Sequence, residues 1–161
     1  GYSWEYECES LGFKCHMNDI QAAIGLGQLL HLDEDNLRRE QIVERYKSNL
    51  RNIKVPEFVM PLVALVDTKS SNHLMVILAL IPQLKFEIMD ALKREGIQTG
   101  CHYKPNYYYP MYHHVYKENN CKSVESFYRR AISLPNHLYL ENADIDRICG
   151  VIDDTTKEEY I

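Results

Sequence analysis

Apolar residues recur along this chain with two different periods, and the change of period divides it. From Asn18 onward, Ile20, Ala23, Ile24 and Gly27 fall at helical spacing. Ala22, Leu26, Leu29 and Leu30 make the other face apolar as well, so this helix is expected to be buried on most sides. Asn18 followed three residues later by Gln21 predicts a capping box at its start. The run Asp33-Glu34-Asp35-Asn36 suits the positive end of a second helix. That helix is predicted to reach about Leu50, with Leu37, Val43, Tyr46 and Leu50 turned inward.

Beyond it the pattern shortens. Phe58 to Val66 and His73 to Ile81 are brief runs rich in Val, Leu and Ile and read as strands, the second as a central one covered on both faces. Pro82 fits the first turn of a helix whose buried stripe is Leu84, Ile88 and Leu92 and whose end is Gly96. Ile97 to Tyr103 is predicted as a third strand, and Tyr103 to Tyr116 is too interrupted by prolines for a regular element. Val124, Phe127, Tyr128, Ala131 and Ile132 predict a further amphipathic helix stopped by Pro135. Ile145, Ile148, Cys149 and Ile152 predict a last one, capped by Asn142. Helices on a small, mostly antiparallel sheet make the expected class α+β. The expected division is 1–50, a lead-in loop with connecting helices, and 51–161, a small α+β domain.

Composition narrows the function classes. The 161 residues carry a net charge of −5, which argues against a phosphate-backbone binder, and no nucleic-acid partner is expected. The apolar run Leu74 to Ile81 is far too short to span a bilayer, so no membrane partner is expected either. Five scattered cysteines without a C-x-x-C motif argue against a disulfide framework or a structural zinc site. Reduced thiols, with no charged-then-apolar leader at Gly1, place the chain in the cytoplasm by expectation. Cys101, His102, His113 and His114 match no metal-ligand spacing, so no metal is expected. Cys101 and His102 are also a poor nucleophile pair, since neighbours on a strand point to opposite sides. Arg38-Arg39-Glu40 reads as a solvated helix face. The tyrosine-rich stretch from His102 to His114 has two readings: a loop framing a sugar-nucleotide pocket, or aromatics packed on their own domain.

Three segments carry a family resemblance. Gly12 to Leu29, GFKCHMNDIQAAIGLGQL, resembles a signature of the DegT/DnrJ/StrS aminotransferases. Gly96 to Tyr103, GIQTGCHY, is similar to that family's G-I-x-T-x-x-H-Y, and Leu134-Pro135-Asn136-His137 to its S-L-P-x-H turn. The resemblance implies the C-terminal part of a dimeric fold-type-I enzyme. Such enzymes use pyridoxal 5′-phosphate (PLP) to move an amino group, usually from glutamate, onto a nucleotide-linked keto sugar. It implies that PLP is held mainly by an N-terminal large domain, whose Schiff-base lysine lies upstream of Gly1. No catalytic residue is therefore expected in this chain, which alone should be an inactive fragment or truncated product.

The resemblance also assigns site residues. Lys14, where many members have asparagine, is placed at the PLP phosphate of the neighbouring subunit, and His16 near that cofactor or its substrate. Cys15 replaces the family's common tyrosine. On the reading of the tyrosine-rich stretch as a loop framing the sugar pocket, His102, Tyr103 and Lys104 are expected at the sugar substrate. Two other functions fit the same residues. One is a deoxysugar dehydratase of the family, with histidine in place of the Schiff-base lysine. The other is a non-catalytic dimerisation or interaction domain.

Overall fold

A computed structural model of the chain describes residues 13, 15–51, 53, 57–58, 69–112 and 121–158. Lys14 and most of the run Phe58 to Val66 lie outside the described residues, as do His113 and His114. The chain divides into two compact units, Gly1–Asp33 and Glu34–Ile161.

The first unit holds helix α1, Asp19–Leu29. Its capping box is formed as the sequence predicts: the Gln21 amide donates to Asn18 Oδ1 at 2.9 Å, and the Asn18 amide donates to Gln21 Oε1 at 3.1 Å. The expected burial is not found. No residue of α1 is buried, and Ile20, Ile24, Leu26 and Leu29 are all exposed. An apolar pattern states what a helix has to cover, and the cover need not belong to the same chain.

The second unit is built on a three-stranded antiparallel sheet in the order β1 (Glu57–Phe58), β2 (Met75–Leu78), β3 (Ala131–Leu134). β2 is central, as its composition predicts. Met75 stands opposite Leu134 and Ile77 opposite Ile132, and all four are buried. Helix α2 (Leu32–Leu50) brings Ile42, Val43, Tyr46 and Leu50 to the core. Leu37, expected inward, is instead exposed. At 3.6 residues per turn it stands roughly 140° around the helix from Ile42, which heads the buried stripe.

Helix α3, Pro82–Arg94, buries Leu84, Ile88 and Leu92 on the stripe expected. It ends in a Schellman turn, in which Gly96 takes φ +74 and the Ile97 amide donates to the Leu92 carbonyl at 2.9 Å. The next segment departs from expectation. Ile97 to Tyr103 forms no strand, and its backbone meets the sheet through a single bridge between Gly100 and Ser133. Gly100 stands at the middle of the segment, and a glycine there weakens it as a strand.

The third strand is β3, from residues whose spacing predicts a helix. Helix α4 runs Lys122–Arg130 and stops there, and Ala131 and Ile132 continue as extended chain. A short apolar run does not distinguish helix from strand by period. Pairing with β2 buries all four residues of β3 and decides it. The tyrosine stretch contains two single 3-10 turns, Asn106–Tyr108 and Pro110–Tyr112, where no regular element was expected.

Helix α5, Asn142–Glu158, buries Ile145, Ile148, Cys149 and Ile152. Its cap lies one residue before the one predicted. Asn142 is inside the helix, and the Glu141 amide donates back to Asp144 Oδ2 at 2.9 Å. Across the surface, Arg45 grips Asp146 with two bonds of 2.9 and 2.6 Å and ties α5 to α2. That guanidinium and the Asn49 amide hold the Asp146 carboxyl below its ordinary value. Among the described residues no helix is long and apolar enough to cross a membrane.

The core gives stability a pH dependence. Burial is the main cause that pushes the Cys149 thiol from 9.0 up to about 12, and burial also raises the Tyr46 phenol. Both groups stay neutral in the folded state after the unfolded chain has begun to lose their protons. Their contribution is whole below about pH 9.0 and is lost as the pH rises towards about 12. Urea midpoints should fall across that window, and Cys149→Ala should flatten part of the slope. A midpoint constant through it, at unchanged cooperativity, contradicts this assignment.

Candidate functional site

A groove of about 810 Å³ opens beside the Gly96–Gly100 segment in the second unit. One wall is that segment, another is the end of β3 with its following turn, and the third is α5 around Asp144 and Arg147. His73, His102 and His137 all line it. The Gly100–Ser133 bridge joins the first two walls, with backbone bonds of 2.9 and 2.8 Å. A Cβ at Gly100 would come within 3.3 Å of His102 Cε1, so a larger residue there would have to shift the His102 ring slightly.

His102 is the best-positioned side chain of the groove. Its Nδ1 shares a hydrogen bond of 2.7 Å with Ser133 Oγ, and Ser133 is 4% exposed. A buried hydroxyl on a paired strand fixes the ring and leaves Nε2 for another partner. The turn below is pinned twice. Tyr46 donates its hydroxyl to the Pro135 carbonyl at 3.0 Å, and Asn136 Nδ2 donates to the Asn72 carbonyl at 2.6 Å. Asn136 Oδ1 is buried with no partner among the described residues. Arg147 lines the groove but donates to the Glu95 carbonyl at 2.8 Å and to its carboxylate at 2.9 Å.

The residues assigned from sequence are not gathered in one place. His102 is in the groove; Tyr103 is exposed and does not line it. Lys104 places its Nζ 4.8 Å over the Tyr109 ring. His16 is exposed in the first unit. Cys101 and His102 diverge, though not on a strand: Cys101 Sγ points to Lys85 and the Tyr128 carbonyl, His102 to Ser133. Part of the tyrosine stretch packs on its own domain. Tyr107 and Tyr108 meet edge-on at 4.9 Å, and Tyr108 meets Tyr128 at 5.9 Å. Among the described residues no three His, Cys, Asp or Glu side chains are grouped to hold a metal.

The groove is therefore rich in hydrogen-bonding side chains. Its guanidinium is engaged by Glu95, and the Asp144 carboxylate lies nearby. Such a lining suits hydroxyl and carbonyl groups and does not suit the phosphate of PLP.

Comparison with known proteins agrees with the motifs. The sequence profile of the DegT/DnrJ/EryC1/StrS aminotransferase family matches residues 2–153. The chain belongs to this family. It is 35% identical to the spore coat polysaccharide biosynthesis protein SpsC of Bacillus subtilis, a match covering 96% of this chain and 41% of SpsC. It is 36% identical to the UDP-4-amino-4,6-dideoxy-N-acetyl-beta-L-altrosamine transaminase of Helicobacter pylori, covering 90% of this chain and 38% of that enzyme. Among solved structures, the PLP form of the sugar aminotransferase Spr1654 from Streptococcus pneumoniae superposes with a TM-score of 0.82 at 27% identity. That superposition covers 97% of this chain and 40% of Spr1654. The chain thus spans about two fifths of the length of these family members.

Sequence reasoning missed Ser133, Asn136 and Arg147 as parts of the groove. Ser133 fell in a stretch read as helix, although it stands at the S of the family's S-L-P-x-H; its neighbours across the sheet could not be foreseen. Asn136 and His137 lie in the turn that resembles the family's S-L-P-x-H, and that motif was the available signal.

Proposed function

We propose that this chain forms the small C-terminal domain, with its connecting helices, of a PLP-dependent aminotransferase. The enzyme transfers an amino group from glutamate to the keto carbon of a nucleotide-linked sugar, for a cell-surface polysaccharide or another aminosugar product. It works as a cytoplasmic homodimer. PLP, when bound, supplies the electron sink for this chemistry. Its binding falls mainly to the large domain, and Lys14 and His16 of one subunit reach the cofactor of the other. The described residues of the groove do not suit its phosphate, so their part is with the sugar.

The observation that carries the reading is the meeting of two motif segments far apart in sequence. GIQTGCHY and the turn that begins Leu134-Pro135 come together at the Gly100–Ser133 bridge and the His102–Ser133 bond. His102, oriented by Ser133, presents one nitrogen to a sugar hydroxyl or carbonyl, with His73 and His137 across the groove. Tyr103 and Lys104 adjoin it on the outside and meet the more distant part of the substrate.

The test uses the enzyme that carries this segment, assayed with glutamate and a nucleotide-linked keto sugar. His102→Ala should lower kcat/KM about tenfold, the scale of one lost hydrogen bond to substrate. Ser133→Ala should follow in the same direction and to a smaller extent. Unchanged kcat/KM in His102→Ala removes the groove from the substrate site.

A further inference from the structure

Lys85 is a buried cation that the groove does not use. It stands in the first half of α3, is 5% exposed, and has no carboxylate partner among the described residues. Its Nζ donates to the Tyr128 carbonyl at 2.7 Å, lies 4.8 Å over the Tyr128 ring, and is 3.4 Å from Cys101 Sγ. Cys101 Sγ is itself 3.8 Å from the same carbonyl. One carbonyl, one ring face and one sulfur compensate an ammonium poorly for the water it has lost. An amine and a thiol held side by side in that setting share a chemistry that neither has alone.

We propose that Lys85 and Cys101 are a modification site, at which hydrogen peroxide joins Nζ to Sγ as a sulfenamide. In the first step the Cys101 thiolate attacks one peroxide oxygen. An S–O bond forms, the O–O bond breaks, and the departing hydroxide takes up a proton as water. The sulfur gives up two electrons and the peroxide accepts them, leaving a sulfenic acid. In the second step Lys85, having released a proton, attacks that sulfur with its nitrogen lone pair. The N–S bond forms, the S–O bond breaks, and the hydroxyl leaves with a proton from nitrogen as the second water. Thiol, amine and peroxide thus give sulfenamide and two waters, with no other reactant. Two equivalents of an external thiol reverse the bond and leave as their disulfide.

Geometry favours this route over further oxidation. The amine is already in van der Waals contact with the sulfur, so its attack is effectively intramolecular, while a second peroxide must enter a half-buried site. The bond also removes the buried charge, because a sulfenamide nitrogen is not an ammonium. Its consequence is mechanical: it fastens α3 to the residue that precedes His102. Cys15 and Cys121 are exposed and serve as internal comparisons.

The full chain is treated with hydrogen peroxide, denatured, digested and read by tandem mass spectrometry. The expected product joins the peptides of Lys85 and Cys101 with the loss of two hydrogens, and dithiothreitol abolishes it. Lys85→Arg, which keeps the positive charge, and Cys101→Ser should both lack it. If either variant fails to fold, the parent chain still decides the matter by amine acetylation after denaturation. Lys85 should then be protected in the oxidised sample and reactive again after dithiothreitol. Cys101 found as sulfenic or sulfinic acid, or in a disulfide, with Lys85 fully reactive, overturns the proposal.

Discussion

Truncation of Ile88 to alanine should cost about 2–5 kcal/mol of stability, the range for deleting a large aliphatic side chain from a packed core. Ile88 is fully buried in the middle of the α3 stripe, flanked one turn away on each side by Leu84 and Leu92, which are buried too. All three belong to one core cluster with Ile77 of the central strand and Ile152 of α5. The loss removes the transfer free energy of three carbons and leaves a cavity that this many neighbours cannot all collapse into. A domain of this size is stable by only about 5–15 kcal/mol, so much of that reserve is consumed. Urea denaturation should show a lower midpoint at an unchanged slope. Leu37→Ala is the matched comparison, since Leu37 is exposed, and should stay within about 0.5 kcal/mol of the parent. Equal losses in the two variants would mean that the buried face of α2 or α3 is wrongly assigned.

That contrast shows what the sequence makes legible. Stripes with strong local punctuation were readable: Leu84, Ile88 and Leu92 lie between Pro82 and Gly96, and both ends behave as their chemistry dictates. The Asn18–Gln21 box was readable for the same reason, being a local hydrogen-bond exchange. Features decided by distant partners were not. Ala131 to Leu134 is a strand because β2 is there to pair with it, and nothing within four residues reports that. Ile97 to Tyr103 has strand-like residues but shares only one backbone bridge with the sheet, at Gly100, so it forms no strand and Ile97, Gln98, Thr99 and His102 line the groove instead. The site was legible in part, and through motif. His102 stands in GIQTGCHY and Ser133 at the S of S-L-P-x-H, but their pairing became visible only once β3 was placed. Tyr103 and Lys104, assigned to the substrate together with His102, do not line the groove, and Lys104 lies over the Tyr109 ring.

The exposure of α1 bears on the same question. Four large aliphatic side chains in one short helix, all open to solvent in this chain, form a surface of the kind that associates. On the proposed reading the cover comes from the rest of the enzyme, and α1 follows directly on the loop that carries Lys14 and His16. The helix start is fixed by its capping box, which gives that loop a defined anchor.

The central claim, that this chain lends a residue to the cofactor site of a PLP-dependent dimer, is tested most directly at Lys14. The enzyme carrying this segment is purified with PLP, and dissociation of the cofactor is followed by its absorbance. A charge-assisted contact to phosphate is worth about 1.5–3 kcal/mol when well placed. Lys14→Ala should therefore weaken PLP retention about tenfold or more, with the fold unchanged. Lys14→Asn should be much milder, since an amide can still donate a hydrogen bond to the phosphate. If Lys14→Ala holds PLP as tightly as the parent enzyme, Lys14 is an ordinary loop lysine and the claim fails.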